Sequence, residues 1–425
     1  MSNKPIHFES FFYKANIFFN CIGVNAYDKV SNEPRRGKLA LVRRHLQRII
    51  FTVTIVNLNL TLLSVLIQIF LDIVNNNNFV EATTLGSIGN ALIISELKIF
   101  SIWWQRSRIS SLMQELYALY PQTLGGQMLY QVKAELKNWN RLGNAYIILN
   151  VLLVWSYTLW PLISYLIFEY WLELRKVGKM LSFNCWTPFV WCDNWLYYPM
   201  YLSQLTVAHA CISTQLANDL LFSAVAVQLI MHYRQLAKRI ESYVVAESGG
   251  NEMKKQRLSD LERSEIDLRF LHGIIAYHQK ILTLSKAMNK AFGICMLLTF
   301  AMTSVNTCIE LFQITAKVTI DMVVLGTLFL LSSLVDLFFI CYYAQGLLES
   351  SEYISNAIYN HNWYDADMRY KRLALLMMQR AQKPAEFKAT LFVTVSMPTI
   401  TNLLQMSYQG FAIVRTAYAR QPGTA

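Results

Sequence analysis

The sequence predicts an all-α, polytopic membrane protein that crosses the bilayer seven times, with its N-terminus in the cytoplasm and its C-terminus outside. Three observations carry this. Of 425 residues, 54% are apolar and only 15% charged, where a soluble domain carries roughly 25% charged residues. Charge-poor runs long enough to cross a ~30 Å hydrocarbon core recur along the whole chain. Finally, 32 of the 38 Lys and Arg residues fall in the segments on one side of those runs, and positive residues are retained in the cytoplasm far more often than they are translocated.

The apolar runs are residues 49–71, 83–104, 142–168, 195–230, 288–315, 318–345 and 389–414. Residues 1–48 form a polar, basic cytoplasmic arm with 9 Lys and Arg. They lack the short n-region and apolar core of a cleavable signal, so span one is expected to act as a retained anchor. The sequon Asn59-Leu60-Thr61 lies inside that span and should stay unmodified. Span two contains Glu96 and Lys98 near its inner end, where a lysine stem can snorkel to the headgroups. The loop before span four holds Cys185 and Cys192, whose six intervening residues and extracellular position permit a disulfide.

Span four is 36 residues long, or ~54 Å at ~1.5 Å per residue, so it should continue into the cytoplasm as a helix. Gly249-Gly250 marks the expected turn. Leu268, Leu271, Ile275, His278, Ile281, Leu282 and Met288 then recur at helical spacing into span five. Leu347, Leu348, Ile354 and Ile358 repeat the pattern after span six, followed by Leu373, Leu376 and Met377. Such stripes cannot face water, so residues 231–287 and 346–388 are expected to pack as a cytoplasmic helical bundle. The membrane domain comprises residues 49–230 and 288–345, and residues 389–425 supply span seven with a short extracellular tail.

Several function classes are disfavoured. The net charge of +11 reflects topology, because no continuous basic face interleaved with aromatics suggests nucleic acid. The seven cysteines form no CxxC pair, and His272 with His278 reads as a packed or solvated pair on a helix, so neither a metal nor another cofactor is indicated. GxSxG, HExxH and P-loop motifs are absent, which argues against an enzyme. The orientation is the reverse of a G-protein-coupled receptor. Asp219, Glu310 and Asp336 are intramembrane acids, read as interhelical hydrogen bonders or as groups touching the inner water layer. Span seven differs in kind: Ser396, Thr399, Thr401, Asn402, Gln405, Ser407, Tyr408 and Gln409 give it hydroxyl and amide groups without charge. Such a helix lines water, joins subunits, or glues one bundle together.

The C-terminal stretch resembles a known family. Cys341-Tyr342, Gly346, Glu349-Ser350, Ala357, Tyr359 and Trp363 are followed by Arg372, Leu375, Met378, Gln379-Arg380, Gln382 and Pro384. Ser407-Tyr408, Phe411 and Arg415 complete the pattern. Together they resemble the signature of the insect odorant receptors, and Leu271-His272 through Leu282 is similar to the family's lead into span five. The resemblance implies a ligand-gated, non-selective cation channel of four subunits, each placing span seven at a central pore. It also implies assembly with a shared odorant co-receptor, a small volatile ligand, surrounding membrane lipid and the plasma membrane of a sensory dendrite. The short stretch 234–290 looks like that of a tuning subunit. The alternatives are a gustatory-type homotetramer and, less favoured, a metabotropic seven-span receptor.

The family's ligand level in the outer half of the membrane falls on Ser87, Asn90 and Ile94 of span two and on Leu153, Ser156, Tyr157 and Trp160 of span three. On spans four and six it falls on Thr206, His209, Ala210 and Ser213, and on Val323 and Thr327. His209 is the candidate hydrogen-bonder to an odorant heteroatom, and Tyr157 or Trp160 the candidate stacking ring. The family's outer pore constriction falls on Ser407, Gly410, Phe411, Val414 and Arg415. Glycine at 410, where a bulky residue is common, implies a wider constriction; Arg415 is expected to turn toward headgroups or a subunit interface.

Overall fold

The computed structural model describes residues 5–28, 38–74, 79–164, 167, 171, 181–189, 195–245, 260–316, 320–389 and 394–419. These form α1 (Tyr13–Cys21), α2 (Lys38–Val74), α3 (Phe79–Leu119), α4 (Leu124–Leu129) and α5 (Val132–Ser164). They continue with α6 (Tyr197–Glu241), α7 (Asp260–Thr315), α8 (Ile320–Asn360), α9 (Met368–Ala381) and α10 (Met397–Ala419). The fold is all-helical; among the described residues the one β-feature is an isolated antiparallel bridge between Lys388 and Thr394. Among the described residues six helices, α2, α3, α5, α6, α7 and α8, are long and apolar enough to cross a membrane. The seventh, α10, is 23 residues long and is set apart by the polar side chains noted above.

Helix α6 is the axis of the molecule. Every residue from 216 to 233 is buried, Asp219 and His232 included, because neighbouring helices enclose α6 on all sides. It packs against α1, α2, α3, α5, α7 and α8. Helix α2 sits at the opposite extreme. Leu46, Ile49, Val53, Val56, Leu60, Leu63, Leu66 and Phe70 recur every three or four residues along it and are all exposed. That stripe has no protein partner and is the face that lipid covers.

The helices run well beyond the hydrocarbon core. At ~1.5 Å per residue, the 45 residues of α6 and the 56 of α7 reach ~67 Å and ~84 Å. Their inner ends pack with those of α8 and α9, where Leu271, Ile281, Met288, Leu347, Ile354, Ile358 and Met377 are buried. Polar contacts join this cytoplasmic bundle. The Tyr277 hydroxyl bridges Tyr130 at 2.9 Å and His232 Nδ1 at 2.7 Å, and Tyr243 stacks on Phe270 at 3.6 Å while donating to Asp267. Asp367 caps α9, accepting from the Met368 backbone N–H at 2.7 Å.

Four expectations are corrected. First, span seven begins as a helix at Met397, not at 389. Lys388 and Thr394 pair instead, with the Val395 N–H donating to Phe387 at 2.8 Å, and Pro398 sits in the first helical turn, where its missing N–H costs nothing. Second, Lys98 does not snorkel: it is 2% exposed and pairs with Asp219, 0% exposed, at 3.1 Å. Third, the N-terminal arm is not simply polar. Phe8, Phe11, Phe12, Phe19 and Ile22 are buried in the main core, with Phe11 near Trp139 and Phe8 near Tyr120. Gly23 closes this unit at φ +72°, where a Cβ would meet the Gln47 carbonyl oxygen at 2.4 Å. Fourth, Leu376 of the α9 stripe is exposed. The Gly249-Gly250 turn and the Cys185–Cys192 bridge involve positions outside the described residues.

Candidate functional site

A cavity of about 160 Å³ lies among α3, α5, α6, α7 and α8, with Phe183 from the loop before α6 in its wall. Alternating chain direction puts its outer end at Ile88, Tyr157, Val207 and Phe329 and its inner end at Ser95, Asn150, Gln215 and Asp336. The walls are mostly aliphatic and aromatic, and Tyr157 meets Phe329 edge-on at 4.5 Å. An apolar cavity of ~150 Å³ holds a molecule the size of benzene. The site therefore suits a compact, largely apolar ligand whose affinity comes from burial.

The inner end rests on a charged network. Lys98 Nζ donates to Gln215 Oε1 at 2.6 Å and to Asp219 at 3.1 Å. Gln215 Nε2 donates to Asp219 at 3.0 Å and to Asp336 at 2.9 Å. The Tyr146 hydroxyl lies 2.8 Å from an oxygen of each carboxylate. Residues from α3, α5, α6 and α8 thus converge at one point, which fixes the crossing of four helices. Nearer the outside, the Asn306 side-chain amide donates to the fully buried Glu310.

Of the residues expected at the ligand level, Ile94, Leu153 and Tyr157 line the cavity. Ser87 accepts from Gln313 at 3.1 Å and Asn90 donates to the Met302 carbonyl at 3.0 Å, so both tie α3 to α7. Ser156, Thr206, His209 and Thr327 are exposed, and Thr206 accepts from Asn57 at 2.8 Å. Ala210 and Ser213 are buried, Trp160 and Val323 half-buried, all four outside the lining. On α6 the lining runs through Val207, Ala208, Cys211, Ile212 and Gln215, one helical face at spacings of one, three and four. Sequence reasoning passed over α7, which supplies Thr299, Thr303 and Asn306, and over Asn150 and Gln215. An amide and a carboxylate one turn apart, Gln215 and Asp219, carried the available signal.

Helix α10 packs on α7 through the face bearing Ser407, Gly410 and Phe411. Ser407 Oγ lies 3.1 Å from Ser304 Oγ, and a Cβ on Gly410 would stand 3.2 Å from Cys308 Sγ. Phe411 is buried, Val414 half-buried and Arg415 exposed. The opposite face, with Asn402, Gln405, Gln409, Ala412, Ile413 and Thr416, is exposed along its length. Gly410 therefore answers a close approach of α7 within the chain.

Membrane-length helices around a ligand-sized cavity define a multi-pass membrane protein of the receptor type. The chain belongs to the seven-transmembrane odorant receptor family, whose description as "7tm Odorant receptor" matches residues 78–408. It is 36% identical over 415 residues to the putative odorant receptor 85d of Drosophila melanogaster, covering 98% of this chain and 96% of that one. Odorant receptor 85b of the same species is 34% identical over 406 residues, covering 96% and 98%. The fold matches the olfactory receptor OR5 of Machilis hrabei solved with eugenol, with a TM-score of 0.77 at 15% identity over 97% of this chain and 99% of that one. These relatives are receptors, and the chain is not an enzyme.

Proposed function

We propose that this chain is the odorant-tuning subunit of a ligand-gated, non-selective cation channel in the plasma membrane of sensory dendrites, assembled with a shared co-receptor. The observation that carries the reading is the pairing of a ligand-sized cavity with the exposed polar face of α10. A monomer leaves Asn402, Gln405 and Gln409 without partners on a membrane helix, and a water-filled axis shared by four copies supplies them. In this reading that face lines the pore, while Ser407, Gly410, Phe411 and Val414 hold α10 against α7 and Arg415 meets headgroups. The exposed Leu375, Leu376, Tyr359 and Met368 at the cytoplasmic end supply apolar area for subunit contact.

Cavity and pore helix are mechanically connected. Helix α7 contributes Thr299, Thr303 and Asn306 to the cavity and Ser304 and Cys308 to the α10 contact, so a ligand that displaces α7 displaces α10. The test is whole-cell current in cells expressing the chain with an insect odorant co-receptor, under a panel of small volatiles. Current only on co-expression supports the proposal, current from the chain alone indicates a homomeric channel, and silence despite surface expression across a broad panel refutes it.

A further inference from the structure

The floor of the cavity has a hydrogen-bonding polarity of its own. Its polar residues are Ser95, Asn150, Gln215, Thr299, Ser332, Ser333 and Asp336, with Ser333 bonded to Glu310. Their donors are already committed. Gln215 gives its amide to the two aspartates. Asn150 gives its amide to the Tyr146 carbonyl, 3.3 Å away, and faces Asp336. The hydroxyls of Ser332, Ser95 and Thr299 donate to Asn150 Oδ1, the Ala91 carbonyl and the Cys295 carbonyl at 2.9, 2.8 and 2.8 Å.

What remains open at the floor is lone pairs. A carboxylate has about four acceptor positions and a hydroxyl two. Asp336 accepts from Tyr146 on one oxygen and from Gln215 on the other, with Asn150 beside it, which fills three of those positions. Two carboxylates against the single ammonium of Lys98 add negative potential behind it. A ligand carbonyl or ether oxygen reaching the floor sets lone pairs against lone pairs, whereas a hydroxyl meets an acceptor that strengthens the bond through charge. The uncommitted Tyr157 and Thr303 hydroxyls sit higher on the wall: Tyr157 lies two turns, ~10 Å, from Asn150 along α5.

Building on the ligand-cavity reading above, we infer that this cavity selects volatiles with a terminal hydroxyl group, the Asp336 carboxylate accepting the hydroxyl proton at the floor while the hydrocarbon body runs outward along Tyr157 and Phe329. The compact volume favours aliphatic alcohols of medium length or small phenols.

The experiment is a concentration–response series in cells co-expressing the chain and co-receptor, using n-hexanol, hexanal and hexyl methyl ether, with surface expression measured by biotinylation. Hexanol is expected to be at least about tenfold more potent than either comparator, the ratio one hydrogen bond to a charged acceptor supplies. Asp336→Asn, which offers an N–H beside its carbonyl, should reduce that ratio toward one. Because that substitution also touches the Tyr146 and Gln215 network, the wild-type series stands as a test without it. Equal or better responses to hexanal or the ether overturn the inference and leave the channel reading intact. Silence to all three while other volatiles evoke current overturns it too. Silence to every volatile refutes the channel reading.

Discussion

Replacing Lys98 by Met removes the single cation from a site that holds two carboxylates. In the wild type, Lys98 is paired at 3.1 Å with Asp219, and Asp219 shares Tyr146 and Gln215 with Asp336. Removing one partner of a buried pair leaves an uncompensated charge and costs ~3–5 kcal/mol; here it leaves two acids side by side. The reverse deletion, Asp219→Asn, keeps the amide and hydroxyl contacts and leaves Lys98 close to Asp336, so it should cost less. The double variant restores the wild-type net charge and should melt above Lys98→Met alone, an interaction of more than ~1 kcal/mol between touching residues. Melting of the detergent-solubilised protein, followed by fluorescence-detected size exclusion, ranks the four proteins. A Lys98→Met protein that melts with the wild type, or a double variant no more stable than Lys98→Met, refutes the assignment of this network as a helix junction held by the Lys98–Asp219 pair.

Other outcomes follow from the same packing. Gly23→Ala combines a left-handed φ with a backbone clash against Gln47 and Phe51, and should cost ~2–4 kcal/mol of stability in the same melting assay. Trp139→Ala empties the buried ring beside Phe11 and its bond to Ser223; a loss of ~3–5 kcal/mol and poorer surface expression are expected. His361 is buried with Nε2 against the Tyr370 hydroxyl at 2.9 Å, and burial lowers its pKa, opposed in part by Tyr243 and Asp267. The unfolded chain takes up that proton below about pH 6.5, so this contribution is complete above that pH and declines as pH falls below it. His361→Phe should flatten that part of the pH–stability profile.

The fold was legible because the bilayer imposes a coarse rule: every spanning helix needs ~20 apolar residues, and six of the helices announce themselves that way. The cytoplasmic bundle was legible from stripes such as Leu271, Ile281 and Met288, all buried here. Rotation about a helix axis was not. Thr206, His209, Ala210 and Ser213 attract attention because three of them are polar. The cavity instead takes the mainly apolar face through Val207, Ala208, Cys211 and Ile212, which period alone cannot distinguish from a lipid-facing or core-facing stripe. The same holds on α10, where Ser407 and Phe411 face α7 and Gln405 and Gln409 face away. Lys98 was misplaced because distance to the headgroups suggested an escape route, while its partners Gln215 and Asp219 lie 117 and 121 residues away in sequence. The buried aromatics of the N-terminal arm were hidden by the basic residues around them.

The central claim is that ligand occupancy of the cavity opens the pore. Ala208 lines the cavity on α6, and Ala208→Trp fills much of its volume from a position two turns, ~10 Å, from Gln215. Odorant-evoked current in excised patches without nucleotide, from this variant and the wild type each co-expressed with co-receptor, tests the claim directly. A loss of response, or at least about a tenfold rise in half-maximal concentration, with unchanged surface expression is the predicted result. Superimposable dose–response curves would contradict it and place the ligand elsewhere.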